Sequence, residues 1–481
     1  MLLSRAATGL ADAGIDHEVR GDVEISGVVH RTDTVLAGVL FCCVPGSRVD
    51  GHDLAADVVD AGAVALLVER PLTVDVPQVI VPSVRAAMGP VSARFWGDPS
   101  RDLDVIGITG TNGKTTTVAI LRAVLDAAGR RCEVVGTLTS RPGWPPTTPD
   151  APELQAQLAA WRDEGVDTVA MEVSSHALAM GRVDGTWFTA TGFTTLGHDH
   201  LDLHGDIESY FEAKASLFRP ERTGRAAIRA DDEWGARLLE RVEGTAVEVH
   251  PYRLDDAVDL APFGTGSRFT LRGVPVELPL AGRHNVANAL CAAAIADWLG
   301  IDPDTVARGL ASVPTVAGRF ERVDEGQAFT LAVDYAHTPD ALQTVLDAAR
   351  ERADVDGGRV LVVFGCGGDK DRAKRPEMGR IAAASADVVV VTSDNPRSED
   401  PAAIADEIVA GIPDQEPGHA DVRTILDRAE AIHHAAREAR DHDIVVIAGK
   451  GHETTQTFAD RVVDFDDRVV AAAALREVLG R

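Results

Sequence analysis

The sequence predicts an α/β protein in which two doubly wound sheets follow a smaller α/β domain, and three observations predict it. A buried strand over residues 104–109 runs into a glycine-rich loop and then into a helical pattern at 118–125, and strand–helix alternation is expected to continue to about residue 310. After a break near 314–318 a second alternation begins, with strands at 330–333, 359–364, 388–392 and 444–448 and helices between them. Ahead of both, short apolar runs such as Val39-Leu40-Phe41 and 63–68 are separated by Gly, Asp and Pro turns. A chain of 481 residues exceeds what one hydrophobic core organises. The expected domains are 1–100, 101–317 and 318–481.

Composition narrows the class of function. An apolar fraction of 45% with 25% charged residues is that of an ordinary globular chain, and no stretch is apolar enough to span a bilayer. The N-terminal segment lacks an apolar region with a cleavage site, so a cytoplasmic protein is expected. A net charge of −28 repels nucleic acid and anionic membranes, so neither is expected as a partner, and any anionic substrate needs a focused site. Five cysteines with no paired spacing argue against disulfides and zinc ribbons, and half-buried reduced thiols are expected.

The first such site is the loop Gly110, Thr111, Asn112, Gly113, Lys114, Thr115 and Thr116. Placed between strand and helix, its backbone N–H groups can surround phosphate oxygens, while Lys114 supplies charge and Thr115 a Mg²⁺-facing hydroxyl. The usual phosphate-loop spacing wants a glycine where Ile108 stands, with Gly107 one position too early.

Downstream, Glu172 and His176 close an apolar run, where a sheet presents ligand groups. Residues 197–205 gather three His and two Asp; beside a phosphate loop the reading is Mg²⁺ rather than zinc. Lys214 sits among apolar neighbours of an amphipathic helix, where a snorkelling side chain is the alternative to a functional one.

In the third domain the strand ends carry polar groups. Asp334-Tyr335-Ala336-His337 follows one strand, a Gly-rich basic stretch at 365–375 the next, then Asp394-Asn395-Pro396-Arg397, and finally Gly449-Lys450-Gly451-His452-Glu453. An amide and a guanidinium beside carboxylates suit a zwitterionic amino acid, with Arg397 facing its carboxylate and Glu453 its ammonium. Taken alone, Asp394-Asn395-Pro396 is also an ordinary turn.

The phosphate loop, Glu172-Val-Ser-Ser-His176, Asp199-His-Leu-Asp-x-His-Gly205 and Ala213-Lys-x-x-Leu-Phe218 resemble, in order and spacing, the Mur ligase family of bacterial cell-wall precursor synthesis. The resemblance covers nearly the whole chain. It implies the three-domain Mur ligase architecture: an N-terminal UDP-substrate domain, a central P-loop ATPase-like domain and a C-terminal Rossmann-like domain. It implies an ATP-dependent ligase that makes an acyl phosphate and joins it to an amine, with UDP-MurNAc-L-Ala-D-Glu and meso-diaminopimelate as substrates and a monomer as the expected state. By the same resemblance Asn288, Arg319, Asp334 and His337 clamp ATP, while Glu172 and His204 join Thr115 as Mg²⁺ ligands. Lys214 is then carbamylated by CO₂ and supports a second Mg²⁺. Thr32, Ser47, Arg48, Thr147, Thr148, Ser174 and Arg182 take the nucleotide-peptide; Lys370, Asp394, Asn395, Pro396, Arg397, Gly449 and Glu453 take the diamino acid.

This sequence departs from the family pattern at three places. Its Asp-Ser-Arg triplet is Arg31-Thr32-Asp33 here, a frequent Gln is Met180, and an amine-contacting Arg is Lys370. Three other readings stay open: the same ligase using L-lysine or another diamino acid, a folylpolyglutamate synthetase, and a non-enzymatic P-loop switch.

Overall fold

The computed structural model describes residues 1–46, 49–137, 139, 147–197, 199, 201–263, 266–412 and 420–481, with the backbone alone at 201 and 202. Three main sheets follow one another along the chain. The first, within residues 18–80, has the order Glu18–Arg20, Gln78–Ile80, Ala65–Val68, Val39–Cys42, Gly27–Val29, and only its first strand is antiparallel to its neighbour.

The second sheet is wholly parallel, in the order Glu248–Tyr252, Arg225–Arg229, Ala190–Phe193, Asp104–Thr109, Thr168–Glu172, Cys132–Val135. Side chains alternate across a strand, and both faces are covered here. Ile106 and Ile108 pack with the helices Lys114–Ala127 and Arg283–Trp298, while Val105 packs on the opposite side with Leu154, Leu158 and Met171. Double burial explains the continuous apolar runs in the sequence.

The strand Asp104–Thr109 is where the order reverses. The chain leaves it for one edge and later returns to its other side, which opens the crevice that α/β sheets use for ligands. Register sets the neighbours of that crevice: Ile108 pairs with Glu172, and Thr109 with Phe193.

The third sheet has the order Glu321–Val323, Thr330–Asp334, Ile444–Ala448, Val360–Phe364, Val388–Val391, Asp421–Thr424, antiparallel only at its first pair. Val360, Val362 and Phe364 belong to one core layer and Leu361 and Val363 to the other. Asp334 pairs with Ala448 and Phe364 with Val391, so the four polar strand ends emerge along one rim.

One expectation needs correction. Strand–helix alternation does not run unbroken to about residue 310, because Val258–Phe263, Gly266–Leu271 and Val274–Leu278 form a separate antiparallel three-stranded sheet. Phe269, Leu271 and Val276 bury against the same core as the helix Arg283–Trp298, so these short strands cover a helix instead of extending the parallel sheet. All five cysteines are free and fully buried, deeper than the half-burial expected. Among the described residues no helix is long and apolar enough to cross a membrane.

Candidate active site

The phosphate loop is shaped by two glycines with positive φ, Gly110 at 150° and Gly113 at 88°. A Cβ would stand 1.9 Å from Thr194 Oγ1 at the first and 2.4 Å from Asn288 Oδ1 at the second, so only glycine lets the loop lie this close to its walls. The helix Lys114–Ala127 begins at once, which aims its N-terminus at the crevice. Lys114 Nζ donates to the carbonyls of Gly110 and Thr111, both at 2.8 Å. Burial lowers its pKa, and Glu172 acts against that.

Glu172 ends its strand directly beside this loop and is almost wholly buried. Its Oε2 accepts from Thr115 Oγ1 at 2.9 Å and its Oε1 from Thr137 N at 2.7 Å. Thr147 Oγ1 lies 3.3 Å from Thr137 Oγ1, and Thr148 Oγ1 donates to Glu172 O at 2.8 Å. Ser174 caps the helix Ser175–Ala179. Arg182 donates to Thr148 O at 3.2 Å and pairs with Asp150 at 3.0 Å. Thr147, Thr148 and Arg182 therefore form one network running into Glu172.

Lys214 does not snorkel. It lies on the helix Ile207–Ala215 with 1% of its surface exposed, and Nζ donates to Gly110 O at 2.7 Å over the face of Tyr210 at 4.5 Å. Desolvation, then the neighbouring Lys114, hold its pKa well below the usual lysine range. Tyr210 bonds Thr111 Oγ1 at 3.1 Å and stacks 5.1 Å from His204, whose Nε2 lies 3.1 Å from Ser175 Oγ. Thr115 and Glu172 fit a hard, oxygen-bound cation beside phosphate. His204 instead reaches this cluster through Tyr210 and Ser175, and among the described residues no three His, Cys, Asp or Glu gather as a metal site.

Across the domain joint, Arg319 Nη2 is 3.5 Å from Thr115 Oγ1, and its guanidinium lies 5.0 Å from the Tyr335 ring. Asp334 accepts from the N–H groups of Phe320 at 2.7 Å and Ala336 at 2.8 Å, which fastens the joint to the strand end. Asn112, Gly113, Thr116, Asn288, Arg319 and Asp334 share one cavity of about 280 Å³. His337 is not among its lining residues; its Nδ1 meets Tyr335 O at 2.8 Å, and its own carbonyl accepts from Lys374 Nζ at 2.7 Å.

At the rim of the third sheet, Asn395 Nδ2 donates to Glu453 Oε2 at 2.9 Å, and Arg397 Nη1 to Gly368 O at 2.8 Å. Asp394 O accepts from Gln456 Nε2 at 2.8 Å, and Gly449 N donates to Asp334 O at 3.1 Å. Arg397 has φ of 50° and closes a bridge to Phe458, so the segment is a constrained turn holding a guanidinium in place. Pro396 O lies close beneath Gly368, and Lys370, on that same loop, is exposed. Within the Gly-rich basic stretch at 365–375, buried Arg375 ties Gly367 O to Glu399 and Glu407.

In the first domain Thr32 opens an exposed turn, flanked by a bidentate Arg31–Asp33 pair. Ser47 and Arg48 lie outside the described residues. The sequence reading missed His30, which sits 3.6 Å from Asp150 and 3.3 Å from Glu153 and so joins the Thr32 segment to the Arg182 network. It also missed Lys450 and Tyr210. Lys450 stands in the Gly449–Glu453 segment, but nothing in its sequence neighbours signals that it is buried.

Family profiles match three stretches: "Mur ligase family, catalytic domain" at residues 24–95, "Mur ligase middle domain" at 108–296 and "Mur ligase, glutamate ligase domain" at 318–451. A Streptomyces avermitilis protein named UDP-N-acetylmuramoyl-L-alanyl-D-glutamate–2,6-diaminopimelate ligase is 43% identical, over 95% of this chain and 94% of its own. The chain belongs to the Mur ligase family. A Geobacillus thermodenitrificans Mur ligase of the same name is also 43% identical, covering 95% of this chain and 96% of its own. A solved structure of such a ligase superposes with a TM-score of 0.68 at 32% identity, covering 94% of this chain and 95% of that one. The Mur ligase architecture expected from the sequence is therefore the one found.

Proposed function

We propose that this chain is the ATP-dependent ligase that joins meso-2,6-diaminopimelate to UDP-N-acetylmuramoyl-L-alanyl-D-glutamate through an acyl phosphate. The observation that carries the reading is the pairing of two sites across one joint. A phosphate loop with Thr115 and Glu172 lies on one side, and Asn395, Arg397 and Glu453 on the other. The names of the similar ligases agree with it. Residues 1–100 would hold the UDP end, 101–317 ATP and the acyl carboxylate, and 318–481 the amine.

Lys114 and the loop N–H groups stabilise charge on the transferring phosphoryl group as the glutamyl carboxylate attacks the γ-phosphorus of ATP, the bond to the β-phosphate breaks and ADP leaves. Arg319, already at Thr115, carries cationic charge from the third domain to the same place. Thr115 and Glu172 would hold Mg²⁺, with a carbamate on Lys214 as further support and His204 set behind them through Tyr210 and Ser175; when bound, the metal would supply positive charge that neutralises the phosphate oxygens. The free amino group of the diamino acid, whose distal end Glu453 and Arg397 hold, attacks the acyl phosphate, and phosphate leaves. Closing the joint excludes water that would hydrolyse the acyl phosphate.

A folylpolyglutamate synthetase would have no use for the Asn395–Arg397–Glu453 group or for a UDP-binding first domain. A nucleotide switch would need no acceptor. Isolating the amide product from ATP, the UDP-linked dipeptide and diaminopimelate tests the reading; ATP turnover with no amide formed would reject it.

A further inference from the structure

The third domain contains a lysine that the reaction as described does not use. Lys450 is one of five lysines in the chain and is wholly buried. Its Nζ donates to Thr455 O at 2.6 Å, to Glu453 Oε2 at 3.0 Å and to Asn395 Oδ1 at 3.3 Å. An ammonium has three N–H donors and no acceptor, so all three are already used inside the protein. Lys450 therefore has nothing left to offer a ligand directly.

Its partners do. Asn395 Oδ1 receives two donors, Lys450 Nζ and Thr457 N, the latter at 2.9 Å. Turning the amide over would set its NH₂ against both of them, so the orientation is fixed by chemistry. Nδ2 then gives one N–H to Glu453 Oε2 at 2.9 Å and keeps its second. Glu453 Oε2 takes bonds from both Asn395 and Lys450, which leaves Oε1 as the acceptor still to be used. The pair thus presents one amide donor beside one carboxylate acceptor in a set order. That order matches the carboxylate and ammonium of an amino-acid centre, and Arg397, whose own N–H bonds Thr457 O at 3.1 Å, extends the donor side.

We propose that Lys450 is a positioning residue for amine specificity: it locks the Asn395 amide and the Glu453 carboxylate so that together they read a distal carboxylate and ammonium. This rests on the proposed ligase function, and it names how that site separates a diamino dicarboxylic acid from a diamino monocarboxylic acid such as lysine. Without Lys450 the Asn395 amide can turn and Glu453 Oε2 loses a donor. The set order of donor and acceptor is then lost while the phosphate loop is untouched.

The test is Lys450→Met, which keeps length and apolar volume and removes the ammonium. Steady-state kinetics of the full chain are read with ATP, the UDP-linked dipeptide, and either meso-diaminopimelate or L-lysine. KM for diaminopimelate should rise by about tenfold or more, with kcat within about threefold and the KM values for ATP and the dipeptide unchanged. The preference for diaminopimelate over lysine should narrow by about tenfold. Adding Lys450→Met to Glu453→Gln should cost little beyond Glu453→Gln alone, since the two act as a unit. An unchanged amine KM, an equal loss in all three KM values, or fully multiplicative effects would overturn the proposal. If Lys450→Met does not fold, Lys450→Gln is read in the same way, and failure of both to fold would assign Lys450 to stability alone. A wild type that accepts only another amine rejects the proposed function, and the same KM split, measured with that amine, still decides the role of Lys450.

Discussion

Lys114 and Lys214 reach for the same oxygen: the Nζ of each donates to the carbonyl of Gly110, at 2.8 and 2.7 Å. Two ammonium groups sharing one acceptor in a buried site repel each other. Burial and this neighbour drive Lys214 toward its neutral amine. A neutral amine is the form that adds CO₂, and a carbamate formed there would replace the repulsion by attraction to Lys114.

Lys214→Ala should therefore lose ligase activity by about a hundredfold or more, because the charge arrangement around the phosphate loop is altered. Short carboxylates such as acetate should restore part of it by entering the space left behind. Full activity of the variant, or no response to acetate at any concentration, would remove the carbamate from the account.

Lys114→Ala should abolish ligation while the fold persists. Among the described residues the side chain's hydrogen bonds go to two carbonyls of its own loop, so the stability change should stay at about 1 kcal/mol. The loss in kcat should be about 10²-fold or greater, since the missing charge acts on the developing phosphoryl charge. Retained turnover, or a collapse of the melting temperature, would contradict that division.

Much of this was legible before folding. The strand-to-helix setting of Gly110–Thr116 and the apolar runs at 360–364 and 444–448 depend on local pattern, and local pattern is what a sequence carries. The antiparallel sheet at 258–278 was hidden because short strands packed over a helix show no period that separates them from the preceding alternation. Lys214 reads from sequence as an ordinary amphipathic lysine; its burial comes from Tyr210 and Gly110, the latter 104 residues away. Lys450 was hidden for the same reason, since its partner Asn395 lies 55 residues off.

Arg397→Ala tests the amine. If Arg397 pairs with the distal carboxylate of diaminopimelate, lysine leaves that guanidinium without a partner, which costs on the order of 2–5 kcal/mol. Discrimination of about thirtyfold or more is expected in the wild type, and the variant should lose diaminopimelate addition and narrow that ratio in kcat/KM. An unchanged ratio would move the specificity elsewhere, with exposed Lys370 the next position to vary.

His284 gives the fold a dependence on pH. Burial, then Arg319 and Arg229, hold its pKa down to about 4, whereas the unfolded chain takes up a proton near 6.5. The unfolded state binds more protons between those values, so the stability contributed by neutral His284 is complete above about 6.5 and is lost as pH falls toward 4. His284→Gln should flatten that part of the melting-temperature profile. Superimposable profiles for the two proteins would refute the assignment.

The central claim is that phosphate transfer and amine capture belong to one reaction, and the most direct measurement is phosphate release from ATP set against amide formed. Each is followed with and without UDP-MurNAc-L-Ala-D-Glu and across a panel of diamino acids. The account expects rapid release only when both acceptors are present, one phosphate per amide, with meso-diaminopimelate preferred over lysine. Equal release with the dipeptide omitted, or turnover that yields no amide with any amine in the panel, would contradict it.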